Sequence, residues 1–247
     1  MAPARSSARG FAFCENSALT RKLAEVLAST KFDQLPRPVV EEAQRSVLDW
    51  LGAVIAGSAE PPARYAQAVA RGFGSSAEAT LFGVGRASAA AASFANGVAS
   101  HALEVDDVHK LATLHAAAPI IPAAFAVAER EHASGRDFLL AVVLGYDAAL
   151  RIGEAVNPSH YRFWHPTGTA ATFGAAVAAA KVMGYSEDQI NSVIAMCASL
   201  ASGNLEAARC GGQPLREGAA TRNAMLAVAL AVPGHVGDRK STRLNSS

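Results

Sequence analysis

Between positions 100 and 119 the chain reads SHALEVDDVHKLATLHAAAP, which sets His101, Glu104, Asp106, Asp107, His109 and His115 among residues that are otherwise mostly alanine, valine, leucine and isoleucine. Imidazoles and carboxylates at this density suit proton transfer or metal ligation, and burying so many without a task would carry a heavy desolvation cost. The stretch is therefore expected to line an active site. A solvated loop between two helices would account for the run from Asp106 to Lys110. It would not account for His101 and Glu104, which lie three residues apart and so share one face at the end of an apolar helix.

Two metal chemistries can be weighed on spacing alone. Asp106-Asp107 has the start of the aspartate-rich magnesium motif of prenyl-diphosphate enzymes, but Lys110 follows and no second acidic cluster supplies the further oxygens magnesium needs. Glu129 and His132 have the spacing of a di-iron ligand pair, yet no second Glu-x-x-His exists, and this one reads as a solvated helix end. Cys14, Cys197 and Cys210 are an odd number without metal-ligand spacing, and no glycine-rich strand-to-helix turn is present to cradle a phosphate. The expectation is a site with no metal and no organic cofactor.

Composition narrows the class of partner. With 22 basic and 21 acidic residues, a net charge of +1 and no block of one sign, the chain offers no nucleic-acid or membrane surface. At 247 residues and 51% hydrophobic content it can bury a substantial core, and a small-molecule substrate is the better expectation. Residues 1–16 read as a flexible N-terminus without a secretory signal, and no later apolar run reaches the ~18 residues of a membrane helix. A cytoplasmic location is expected, with a short organellar targeting segment as the alternative that the acid-free, Arg- and Ser-containing start would also suit.

The elements that must position these residues are helices. Apolar periodicity predicts them over 17–29, 38–57, 63–70, 88–103, 117–132, 135–156, 167–183, 187–202 and 218–231, with one short strand over 78–82. Pro36 and Pro38 suit a helix start, Ser186 with Gln189 forms a capping-box pattern, and Asn157-Pro158 ends the sixth helix. Residues 203–216 read as a glycine-rich loop. Asn96-Gly97 inside a helix signals close packing, a turn or a pocket wall. The fold class is all-α.

The run NGVASHALEVDDVHKLATLHAAAPIIPAAFAVAE, with RFWHPTGTAATFGAA and GGQPLREGAATRNAMLA downstream, resembles the MmgE/PrpD family, which includes 2-methylcitrate dehydratase, cis-aconitate decarboxylase and iminodisuccinate epimerase. The resemblance implies a multi-helix domain over 17–235, with the family's smaller α/β lid domain missing. The polar stretch 236–247 is then a non-family tail, expected to be read-through. It also implies a homodimer when full length, and a helical domain that exposes an apolar face without its partners.

By the same resemblance, Glu104 stands at the first aspartate of the family's acidic run, Asp106 and Asp107 at its Asp-Asp pair, His115 at its following histidine, and His165 at the histidine before Pro-Thr-Gly. A lysine and a histidine usual in the later segment are replaced by Gln213 and Arg216, and arginine does not transfer protons because it stays charged. The implied chemistry removes or adds groups beside a carboxylate of a small di- or tricarboxylate, and needs a base, an acid and cations. His115 and His165 are expected to be that pair, with Glu104 or Asp106 orienting an imidazole. Asp107, Gln213, Arg216 and Arg209 are the substrate-binding candidates, Asp107 having a backbone cap as an equal reading and Arg162 a solvated surface position. The expected reaction is dehydration of a 2-methylcitrate-type hydroxy acid. Decarboxylation, epimerisation or a catalytically inactive helical homologue are the alternatives.

Overall fold

A computed structural model describes residues 18–206 and 212–231, and these form an all-helical domain with one small hairpin. In chain order the helices are α1 (Ala18–Ser29), α2 (Arg37–Gly57), α3 (Pro61–Arg71), α4 (Ala89–His101), α5 (Ala117–Glu131), α6 (Gly135–Val156), α7 (Ala170–Val182), α8 (Glu187–Leu200) and α9 (Gln213–Leu230). The hairpin pairs β1 (Ala79–Leu81) antiparallel to β2 (Gly85–Ala87), with Leu81 opposite Gly85. The strand expected over 78–82 is β1; its partner is too short and too exposed to leave an alternating pattern.

Helix α7 is the centre. Its sequence AATFGAAVAAAKV is apolar all round, so it has no wet face and is wrapped by α5, α6, α8 and α9. Small residues let the neighbouring backbones approach closely. A Cβ on Gly174 would stand 2.7 Å from Ala149 Cβ and would collide with the carbonyl of Gly145 on α6. Helix α4, buried along nearly its whole length, packs against α2, α3, α5 and α9. Its Gly97 sits against Gly218 of α9, where an added Cβ would meet Thr221 Oγ1 at 2.7 Å.

Polar groups in this core have specific tasks. Asn96 acts as an extra strand residue: its amide donates to Thr80 O at 2.8 Å and its Oδ1 accepts from Phe82 N at 3.1 Å, fixing the hairpin on α4. Asn96 thus ties structure together and is no pocket wall. Glu129 accepts from the backbone and hydroxyl of Thr80 and pairs with Arg86, so it holds the hairpin and is neither a metal ligand nor a solvated helix end. Lys181 reaches from the end of α7 to the carbonyls of Leu27, Ala28 and Thr30, neutralising the negative end of α1. The Ser186–Gln189 capping box opens α8 as the pattern predicts.

Two predicted boundaries move. The helix expected from 167 starts at Ala170, after a turn in which Gly168 N bonds His165 O at 3.0 Å. More consequentially, α9 starts at Gln213 and not at 218, so Gln213 and Arg216 are helical residues instead of loop residues. Pro214 in the first turn is a helix-start signal that the flanking glycines obscure. Large apolar side chains such as Leu19, Leu48, Ile55 and Tyr65 are exposed on α1, α2 and α3. Among the described residues no helix is long and apolar enough to cross a membrane.

The α6–α7 contact is testable. Gly174→Ala places a methyl against backbone atoms that cannot swing aside, and should destabilise the domain by about 2 kcal/mol in chemical denaturation, as overpacking does.

Candidate active site

The loop between α4 and α5 folds back on itself. Left-handed residues at Glu104 (φ 51°) and Thr113 (φ 53°) bend it, the backbones of His109 and Leu114 bond each other, and Asn157 ties it to α6 through Ala112 O at 2.7 Å. The result brings Asp106 and His115 against His101 at the end of α4. His101 is fully buried, its Nδ1 2.8 Å from Asp106 Oδ1 and its Nε2 2.9 Å from the amide nitrogen of Gln213 on α9. An amide N–H can only donate, so His101 accepts on Nε2 and donates from Nδ1 to Asp106. That arrangement holds the His101 ring in one orientation, between Gln213 and Asp106.

His115 stands edge-on to His101, with ring centres 4.7 Å apart, and its Nδ1 lies 3.4 Å from Asp106 Oδ2. This is an ion-pair distance with poor hydrogen-bond angles, and both atoms lack a hydrogen-bond partner among the described residues. The backbone N–H of His115 donates to Thr167 Oγ1 at 3.0 Å, a contact spanning 52 residues. Thr167 belongs to the turn that carries His165, so one buried hydroxyl joins the two histidine segments. His165 is held in turn by its own backbone, bonding Gly203 O at 2.8 Å. Gly168 makes room there, since a Cβ would stand 2.6 Å from Ser202 O.

Arg216 lies on the first turn of α9, its Nη1 3.4 Å from Asn204 O in the strip that holds His165. Its Nε and Nη2 are buried and unpartnered among the described residues. These two nitrogens form one edge of the guanidinium, the edge that grips a carboxylate through two parallel bonds.

The neighbours shift the two candidate catalytic imidazoles in opposite directions. Burial opposes charging His115, but Asp106, with Asp107 and Glu217 behind it, outweighs burial and raises its pKa above 6.5. Burial also opposes ionising Asp106, yet His101 and His115 overcome it and hold the carboxyl below 3.8. For His165, burial and the charge of Arg216, then of His115 and His101, all act in one direction and push it down to about 3. His115 therefore holds its proton to higher pH than a free imidazole does, whereas His165 stays neutral down to about pH 3.

Of the residues singled out by sequence, Asp106, His115, His165 and Arg216 meet in this cluster. Glu104 does not: it is exposed on the turn, and orienting the imidazoles falls to Asp106. Asp107 is not free for substrate either. Its Oδ1 accepts from Ala117 N at the start of α5 and its Oδ2 from the Tyr146 hydroxyl, both at 2.9 Å, so it is a helix cap. Gln213 is at the site, but its amide is committed to His101. Arg209 lies outside the described residues. Arg162 is exposed over Phe163, the surface position expected of it.

Three participants had no assigned role in the sequence. His101 belonged to the stretch, and only the fold shows its relay between Gln213 and Asp106. Thr167 carries no chemical signal of its own, although its place in His-Pro-Thr-Gly could have drawn notice. Glu217 follows Arg216 on α9; it is fully buried, neither carboxylate oxygen has a hydrogen-bond partner among the described residues, and burial pushes its pKa up to about 7. His101, Asp106 and His115 also offer atoms within 4.8 Å of one another, enough to hold a metal ion, which the ligand spacing in sequence did not suggest. The donor set fits a metal poorly as it stands, because His101 and Asp106 already satisfy each other at 2.8 Å.

Comparison with known proteins gives this arrangement a setting. A family model described as the MmgE/PrpD N-terminal domain matches residues 21–245, running into the stretch 236–247 that the sequence sets apart and that lies outside the described residues. A cis-aconitate decarboxylase-like protein of Aspergillus oryzae is 30% identical over 234 residues, covering 90% of this chain and 48% of the relative. Cis-aconitate decarboxylases of Aspergillus terreus and Homo sapiens are 30% and 29% identical, with 89% and 90% of this chain and 46% and 48% of those relatives covered. The chain thus spans about half the length of the curated relatives it matches.

The charge assignment has a direct test. Asp106→Asn removes the main attraction on His115 while leaving it buried, so its imidazole pKa, read by NMR, should fall below 6.5 from its raised value. A His115 titration unchanged by that substitution would show that Asp106 does not govern its charge.

Proposed function

The chain belongs to the MmgE/PrpD family, and from that premise we propose that this domain carries the acid–base half of a lyase site for a small di- or tricarboxylate. The observation that supports this most directly is the junction of the His115 and His165 segments through the buried Thr167 hydroxyl, with surroundings that raise the pKa of one imidazole and lower that of the other. A neutral imidazole and an imidazolium in one buried cluster are what proton removal and proton delivery at neighbouring atoms require. Arg216, with a free guanidinium edge, anchors one substrate carboxylate.

Between the family's reactions, the similarity to proteins named cis-aconitate decarboxylase favours decarboxylation over the 2-methylcitrate dehydration expected from sequence. In decarboxylation the bond from the carbon frame to one carboxylate breaks, CO2 leaves, and the electron pair remaining on the frame takes a proton. His115 is the donor and Arg216 holds a carboxylate that stays. Dehydration would use the same pair differently, His165 taking a carbon-bound proton and His115 protonating the departing hydroxyl. The reading calls on no cofactor, Asp106 supplying the orientation and charge that set both imidazoles. The second subunit of a homodimer, and the cytoplasm as its location, remain parts of this proposal.

Turnover in the full-length protein tests it. His115→Gln should lower kcat by ~10²–10⁴ with little loss of stability in either reaction, and His165→Ala should do the same for dehydration, in which it takes the carbon-bound proton. The pH profile follows from the signs of the shifts. The acid limb should not appear before about pH 3, where His165 gains its proton, and activity should persist beyond pH 6.5 and then fall as His115 loses its own. Product analysis with cis-aconitate and with 2-methylcitrate separates the two reactions; turnover of neither, or full activity in both variants, would overturn the assignment.

A further inference from the structure

Glu217 is the one ionisable group of this cluster that the acid–base roles leave without a task. Its side chain is fully buried and neither oxygen has a hydrogen-bond partner among the described residues, an arrangement that proteins rarely keep without a use. Close packing of α9 on α4 surrounds it: a Cβ on the next residue, Gly218, would meet Phe94 O at 2.7 Å.

The groups that face Glu217 define what its charge does. His101 comes from α4, Asp106 and His115 from the loop, and Arg216 from α9 itself. His101 is held between Gln213 and Asp106. Arg216 supplies a fixed positive charge beside Asp106 and Glu217, with His115 adding to it when protonated, so an ionised Glu217 offsets positive charge in the pocket. A carboxylate seated on the free edge of Arg216 takes over that balance. In a water-poor setting the two negative charges repel strongly, and the weaker acid gives way by taking up a proton.

We propose that Glu217 couples carboxylate binding to proton uptake: a carboxylate bound at Arg216 enters with one proton from solvent, which converts the Glu217 carboxylate to the carboxylic acid. This deepens the carboxylate-site reading above and rests on it. No bond other than the O–H of Glu217 is formed. The tendency of this carboxyl to hold a proton until about pH 7 agrees with the geometry. The sign follows: below that range Glu217 is already protonated and binding needs no uptake; above it, each pH unit weakens binding about tenfold, the slope of a one-proton linkage. His115 also loses charge as pH rises, so the assignment needs a signal from Glu217 itself.

The experiment uses this chain with tricarballylate, a saturated tricarboxylate that has no hydroxyl to lose and no double bond to react. Carboxyl ¹³C NMR of glutamate-labelled protein, with Glu217→Gln to identify the resonance, should show Glu217 titrating near pH 7 and moving upward by at least a unit when the probe saturates the site. Calorimetry at pH 8 in two buffers of different ionisation heat should show about 0.4 proton or more taken up per probe bound, rising toward one as the bound titration moves further up, and the uptake should drop in Glu217→Gln. Should that variant fail to fold, the highest-titrating glutamate resonance of the unsubstituted chain and its response to probe carry the same test. Probe binding with no shift of that resonance, or proton uptake unchanged by the substitution, overturns the Glu217 assignment alone. Absence of probe binding at every pH, with Arg216→Gln behaving as the parent, overturns it together with the carboxylate-site reading.

Discussion

The site depends on the backbone contact between α4 and α9. Gly97 and Gly218 meet there with no room for a Cβ on either side, and the two helices cross with the end of one facing the start of the other. His101 closes α4 and Gln213 opens α9, so the same contact that packs the core also places an imidazole 2.9 Å from an amide nitrogen 112 residues away. Arg216 and Glu217 follow within the same turn. A larger residue at either glycine would separate the helices, and the polar cluster would lose one of its walls before any catalytic side chain was touched.

Once those walls are closed, charge in the cluster is decided by neighbours. Asp106 is the pivot because its two oxygens face two different histidines, one on a helix and one on the returning loop. The carboxylate orients one imidazole, whose far nitrogen Gln213 has already claimed, and raises the pKa of the other. His165 receives no such carboxylate; it meets Arg216 and burial instead, and stays neutral. Two residues of the same type thus acquire complementary roles from the company each keeps.

Periodicity carried most of the fold, because alanine-rich helices with apolar stripes and proline or capping-box boundaries have strong local signals. The acidic stretch and the His-Pro-Thr-Gly segment marked the site for the same reason, being rare residue types in an apolar chain. What the chain order concealed depends on contacts over long separations. Asp107 looks chemically active until Tyr146, 39 residues on, and Ala117 occupy it. Glu104 looks equivalent to Asp106 until a left-handed turn points it to solvent. Glu217 has no local signal at all: a glutamate in a helix is usually solvated, and only the packing of α9 on α4 shows that this one is buried.

The substituted positions also bear on which reaction the site supports. By family resemblance a lysine and a proton-transferring histidine belong where Gln213 and Arg216 stand. The cation therefore reappears one turn later, as Arg216, and an ionisable proton reappears at Glu217 in place of the histidine. Arginine clamps a carboxylate but does not exchange protons, so the inventory for proton transfer is His115, His165 and Glu217. Dehydration needs one proton removed from carbon and one delivered to oxygen in a single passage. Decarboxylation of a carboxylate consumes one proton overall, since CO2 leaves and hydrogen takes its place. A site that binds its anionic substrate together with a proton begins each turnover already holding the one equivalent that decarboxylation consumes. The replacements that take away a lysine and a proton-transferring histidine leave His115, His165 and Glu217 as the ionisable groups on which either proposed reaction would have to rely.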